Sequence, residues 1–174
     1  MPVEGSPAGG VELRGGGVDT RLAITDLVPD EIETAVALWE ACGLTRPWND
    51  PRSDARLALA GETSTILAGH DDGRLVATAM VGADGHRGWV YYLAVAPDQR
   101  GRRYGEAMMR AAEAWVQARG MPKLQLMVRV DNAAVVAFYK AIGYGVEEVA
   151  VLSTRFGRPS ADAQIGRIDL DTLE

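Results

Sequence analysis

A chain of 174 residues with 47% hydrophobic side chains can build one ordinary domain with a packed core, and is too apolar for wholesale disorder. A net charge of −6 disfavours nucleic-acid binding, which needs a basic face, and the apolar runs fall well short of the roughly 20 residues that span a bilayer. Cys42 is the only cysteine, so no internal disulfide can form; with His70 and His86 the only histidines, no metal site is expected.

Six of the first 17 residues are glycine, and no charged segment followed by an apolar one opens the chain. Residues 1–20 therefore read as a flexible leader, with no signal peptide, and a cytoplasmic setting is expected. Arg21 to Thr25 alternates weakly and suits a first strand. Asp30 can cap a helix in which Ile32, Ala35, Val36, Leu38, Trp39 and Cys42 recur at helical spacing until Gly43 stops it. Leu44 to Pro51 holds two prolines and reads as a loop, with a short helix at 51–60 behind it.

Three strands follow, at Thr65 to Ala68, Leu75 to Val81 and Trp89 to Ala96, joined by turn signals at Asp71-Asp72-Gly73 and Asp84 to Gly88. Tyr104 to Arg119 predicts a helix with a buried stripe of Tyr104, Met108, Ala111, Ala112, Trp115 and Ala118, ended by Gly120. Leu124 to Val130 alternates as a strand. Asp131 or Asn132 starts a last helix, ended by Gly143, and Tyr144 to Phe156 suits one or two closing strands. Residues 157–174 are polar and receive no assignment. The order predicts an α/β (α+β) domain over 21–156: a mixed, mostly antiparallel sheet with helices on both faces, and a parallel pair joined through the helix at 104–119.

The chemistry concentrates at Leu93-Ala94-Val95-Ala-Pro-Asp-Gln-Arg100-Gly101-Arg102-Arg103-Tyr104-Gly105-Glu106. A buried strand runs into a basic, glycine-containing loop and then a long helix. N–H groups of such a loop converge with the unpaired N–H groups of the helix's first turn, and Gly101 and Gly105 admit a close diphosphate. A solvated arginine-rich loop would read the same way locally. Neither a Walker loop nor a GxGxxG fingerprint is present.

This segment resembles the acetyl-CoA motif of the GNAT superfamily, Q/R-x-x-G-x-G/A. Arg100 matches its first position and Gly105 its last, while Arg103 stands where the middle glycine is expected. A helical φ would let Arg103 serve there. Asn132-Ala-Ala-Val-Val-Ala-Phe138-Tyr139-Lys-Ala-Ile-Gly143-Tyr144 resembles a second family segment in the right order. RPWNDP at 46–51, DGHRG at 84–88 and YYLAVAP at 91–97 resemble the small bacterial members of the YpeA type.

The resemblance implies a splayed strand pair for acetyl-CoA, with the backbone of Leu93, Ala94 and Val95 on the pantetheine arm, the loop from Arg100 to Glu106 on the phosphates, and Asn132 as a further contact or a simple helix cap. It implies Tyr139 as the acid beside the leaving sulfur; a core tyrosine is the alternative. Family members often carry a glutamate base on the strand that here runs from Trp89 to Ala96, which has no carboxylate; His86 titrates in the useful range, with Glu40, Asp50, Asp84 or a water as other choices. Arg46, Trp48, Asn49 and Asp50, with Tyr91, would border the acceptor. The implied partners are acetyl-CoA and an amine acceptor, neither nucleic acid nor membrane, and a homodimer is allowed. A non-catalytic acyl-CoA-binding module and a protein acetylase are the competing readings.

Overall fold

A computed structural model describes residues 21–129, 131–154 and 156. The expected leader at 1–20 and the tail at 157–174 lie outside the described residues. Five strands form one sheet in chain order: β1 (Ala23–Asp26), β2 (Ser64–Asp71), β3 (Arg74–Ala83), β4 (Gly88–Val95) and β5 (Leu124–Leu126). The first three pairings are antiparallel and β4–β5 is parallel, as a crossover through one intervening helix requires. Asp72 and Gly73 both take left-handed φ, 49° and 77°, and so close the β2–β3 hairpin with a turn matched to strand twist.

Four helices accompany the sheet: α1 (Ile32–Ala41), α2 (Pro51–Ala60), α3 (Tyr104–Gln117) and α4 (Ala133–Ala141). Trp39 of α1 reaches Thr78 across one face of the sheet. On the other, Gly69 lies against Met108 of α3. Asp50 caps α2, its carboxylate accepting from the N–H groups of Arg52 and Ser53, and Pro51 occupies the first helical position.

The structure corrects several expectations. β1 begins two residues later than expected. Asp30 sits inside a short 3-10 turn, Pro29–Glu31, and caps nothing; the Glu31 carboxylate accepts from Val28 N–H instead. α3 ends at Gln117, and its buried stripe takes in Met109 and Val116, with Trp115 only partly buried and Ala118 exposed. Trp115 is covered by the Arg119 guanidinium, 3.3 Å above its ring, so a cation replaces core on that side. β5 is three residues long, although the alternation runs through Arg129; Val130 is outside the described residues. Residues 145–154 and 156 lie in no strand, so the expected closing strands are not formed among the described residues.

Candidate active site

The site begins with an irregularity in β4. Thr78 pairs with Ala94 and Met80 with Tyr91, so Tyr92 and Leu93 together oppose the single residue Ala79. This is a β-bulge, and Tyr92 adopts φ 48° to make it. A left-handed tyrosine costs about 1–2 kcal/mol, so something must hold it. Thr78 does so from below: its hydroxyl accepts from Trp39 Nε1 at 2.8 Å and donates to the Tyr92 carbonyl at 3.1 Å. The Trp39 and Tyr92 rings stack with centroids 4.1 Å apart. The Tyr92 hydroxyl donates to Asp54 Oδ2 on α2 at 3.0 Å.

The bulge coincides with a fork. β4 and β5 pair from Gly88 with Leu124 to Val90 with Leu126, and no further. Ala96 N–H donates to Val76 on β3, so by strand alternation the polar backbone groups of Val95 and Leu93 point the other way, to the edge that β5 has left. The Val95 carbonyl accepts from the Cys42 thiol at 3.3 Å, which gives Cys42 a packing and hydrogen-bonding place. Phe138 of α4 closes the far side: a Cβ on Gly105 would lie 3.2 Å from its ring and 3.7 Å from Val95 Cγ2.

Beyond β4 the chain passes through a 3-10 turn, Pro97–Gln99, into the basic loop. Gly101 takes φ 80° and Arg103 φ 61°. The helical φ expected for Arg103 is therefore wrong: the position needs the left-handed conformation that glycine supplies freely, and arginine there costs about 1–2 kcal/mol. No side chain caps α3, which leaves its first-turn N–H groups open to an anion. Arg103 forks onto Glu106 at 3.0 and 3.1 Å. Asp71 Oδ2 accepts from Tyr104 Oη at 2.8 Å and Arg102 Nη1 at 3.3 Å, tying the loop to the β2–β3 turn. Arg100 is exposed and makes no ion pair among the described residues.

Tyr139 is 9% exposed on α4, edge-on to Phe138 and Tyr144. Burial pushes its hydroxyl up to about 12. Asn132 caps α4, its Oδ1 accepting from Val135 N–H at 3.3 Å.

On the α2 side of the bulge lies an open cavity of about 580 Å³, lined by Asn49, Asp54, Ser64, Met80, Tyr91 and Tyr92 among others. It unites two predicted acceptor residues, Asn49 and Tyr91. The others stand elsewhere: Arg46 folds onto the carbonyls of Gly43 and Thr45, Asp50 caps α2, and Trp48 is exposed outside the lining. His86 is exposed in the β3–β4 turn, outside the lining. Asp84 accepts there from the N–H groups of His86 and Arg87 and from Trp89 Nε1, which hold its carboxyl down at about 2 and make it a poor base. Asp54 and Ser64 were not anticipated. The available signal for Asp54 was its place on α2 next to Ala55, one of the two residues that α2 buries.

The sheet is thus forked beside an uncapped helix start, with a cavity at the bulge. The chain belongs to the acetyltransferase (GNAT) family, which it matches over residues 32–144. It is 42% identical over 126 residues to an acetyltransferase of Yersinia pestis (strain Pestoides F), covering 72% of this chain and 89% of that one. It is similar in fold to a putative acetyltransferase from Agrobacterium tumefaciens str. C58, with TM-score 0.66 at 19% identity over 76% of this chain and 99% of that one. It is similar also to the aminoglycoside N-acetyltransferase AAC(6')-Iy in complex with CoA, with TM-score 0.68 at 14% identity over 77% of this chain and 94% of that one. The family uses acetyl-CoA.

Proposed function

We propose that the chain is an N-acetyltransferase that moves the acetyl group of acetyl-CoA to a primary amine by direct attack. The observation that carries this reading is the fork: pairing stops at Val90 and Leu126, and the freed edge of β4 runs straight toward the uncapped start of α3. The residues fit the cosubstrate. Leu93 and the N–H of Val95, whose carbonyl already accepts from Cys42, offer backbone groups to an extended pantetheine arm, and Gly101 with the first turn of α3 offers N–H groups to its phosphates. Bound there, acetyl-CoA supplies a thioester whose carbonyl carbon an amine attacks and whose thiolate departs.

The chain's own residues then divide the work. Tyr92 belongs both to the cavity wall and to the bulge, with Tyr91 beside it, so an amine held in the cavity approaches the thioester from the side opposite the phosphates. A protonated amine loses one proton to solvent at the cavity mouth and a second on becoming an amide. Tyr139 gives a proton to the sulfur and regains one, so one proton is released overall. His86 is exposed and would exchange protons only by way of water. Within the family we place the chain with the small bacterial YpeA-type members, on the strength of RPWNDP, DGHRG and YYLAVAP, and in the cytoplasm. The absence of a carboxylate on β4 favours the competing reading of a non-catalytic acyl-CoA module. Thiol release from acetyl-CoA over a library of primary amines separates the two. Catalytic turnover, with one amide formed per thiol, supports the enzyme; no release with any amine at high protein concentration supports the module.

A further inference from the structure

The cavity beside the bulge has a one-sided charge. Among the described residues, Asp54 is the only carboxylic acid in its lining, and no Lys, Arg or His lines it. The arginines nearest to Asp54 in sequence stay out of the lining: Arg52 forks onto both oxygens of Glu33, and Arg56 is exposed on α2. Asp54 Oδ2 accepts from Tyr92, while Oδ1 makes no hydrogen bond among the described residues. The Tyr92 ring is itself clamped by Trp39, so the carboxylate is held by a rigid donor. The other walls are apolar or neutral: Leu57, Met80 and Tyr91, with Asn49 and Ser64 at intervals.

A half-buried carboxylate with one free oxygen binds a cation, and an acid group on the same ligand would meet no positive partner and repel Asp54. We propose that Asp54 holds the acceptor as its ammonium, and that the cavity selects primary amines with an apolar or neutral body and no acid group next to the amine. This rests on the acetyltransferase reading for its chemistry and adds the acceptor class and the residue that sets it. Asp54 is a ligand of the amine in this proposal; the proton still leaves through the cavity mouth.

The test uses three matched probes, phenethylamine, phenylalaninamide and phenylalanine, with cadaverine as a doubly cationic fourth. Binding is read by calorimetry on the CoA-saturated protein, and transfer by thiol release. The wild type is expected to favour phenethylamine and phenylalaninamide over phenylalanine by at least about tenfold, the scale of one charge-assisted contact. Asp54→Asn preserves the shape and can still accept from Tyr92. It should weaken binding of the amines by about 10- to 100-fold, leave acetyl-CoA affinity unchanged and flatten the preference against phenylalanine. Asp54→Glu keeps the charge and should keep the preference, which guards against a general packing defect in the Asn variant. Unchanged amine affinity in Asp54→Asn, a wild-type preference for phenylalanine, or no binding of any probe at about 10 mM overturns the proposal. Asp54-dependent binding without transfer would leave this inference standing and sink the acetyltransferase reading. Transfer that is indifferent to Asp54 would do the reverse.

Discussion

Burial pushes the Tyr139 hydroxyl up to about 12 because the phenolate would have to sit among the rings of Phe138 and Tyr144. The protonated form is the donor, so a raised value keeps the donor present throughout the neutral and mildly alkaline range. Tyr139→Phe retains the ring and should fold normally. We expect turnover to fall about 100-fold, the lower end for a positioned acid because a thiolate leaves fairly well unaided, with an almost unchanged dissociation constant for acetyl-CoA. The wild-type turnover should show no loss attributable to Tyr139 below about pH 10, since its ionisation lies higher. Wild-type turnover in Tyr139→Phe would make Tyr139 a core residue. At this scale the sequence was informative where a motif fixed a backbone position and silent where a side chain acts across the fold. Arg103 stands at a glycine position that the motif marks, but its φ of 61° is a property of the folded loop, which spacing does not reveal. Asp54 faces Tyr92 across 38 positions of chain, and no local pattern announces that pairing.

β4 is the element on which the two halves of the site meet. Its bulge turns the ring of Tyr92 toward α2 and leaves the following backbone open toward the fork. Thr78 is fully buried and is the hinge pin: it takes the Trp39 indole N–H and gives its own proton to a carbonyl that the bulge has pulled out of the ladder. Thr78→Val is nearly isosteric but strands both groups. Each buried unsatisfied group costs about 1–3 kcal/mol, so urea unfolding should show a loss of at least about 2 kcal/mol. Thr78→Ser should recover most of it. Equal stability of Thr78→Val and wild type would show that the bulge is held by the Trp39–Tyr92 stack alone. Elements with strong local signals were legible: the β2–β3 turn, the short helix from Pro51, and the strand-loop-helix run through β4 and α3, whereas the Asp50 cap of α2 was read as part of the acceptor site. Alternation overextended β5, because pairing with β4 is broken by the bulge rather than by anything in β5's own residues. It likewise overcalled strands after Tyr144, where apolar residues such as Val146, Val149 and Leu152 are exposed.

At the level of the whole molecule, the proposed acceptor and cosubstrate regions draw on two sets of elements. α2 and the loop before it shape the cavity against β2, β3 and β4, while α3 and α4 border the fork. The acidic surface implied by a net charge of −6 leaves the start of α3, with Arg100, Arg102 and Arg103, as a local basic exception. Fold class and the order of elements could be read from the sequence because hydrophobic period and turn chemistry agree along most of the chain. The cavity could not, because it is assembled from five segments that meet only when the sheet forms. The claim on which the rest depends is that the fork and the start of α3 together hold acetyl-CoA. Calorimetric titration of the wild-type chain with acetyl-CoA tests it most directly. The account predicts a single site with a micromolar dissociation constant, about −8 kcal/mol, and weaker binding of an analogue lacking the phosphates. No heat and no thermal shift at millimolar acetyl-CoA would contradict it.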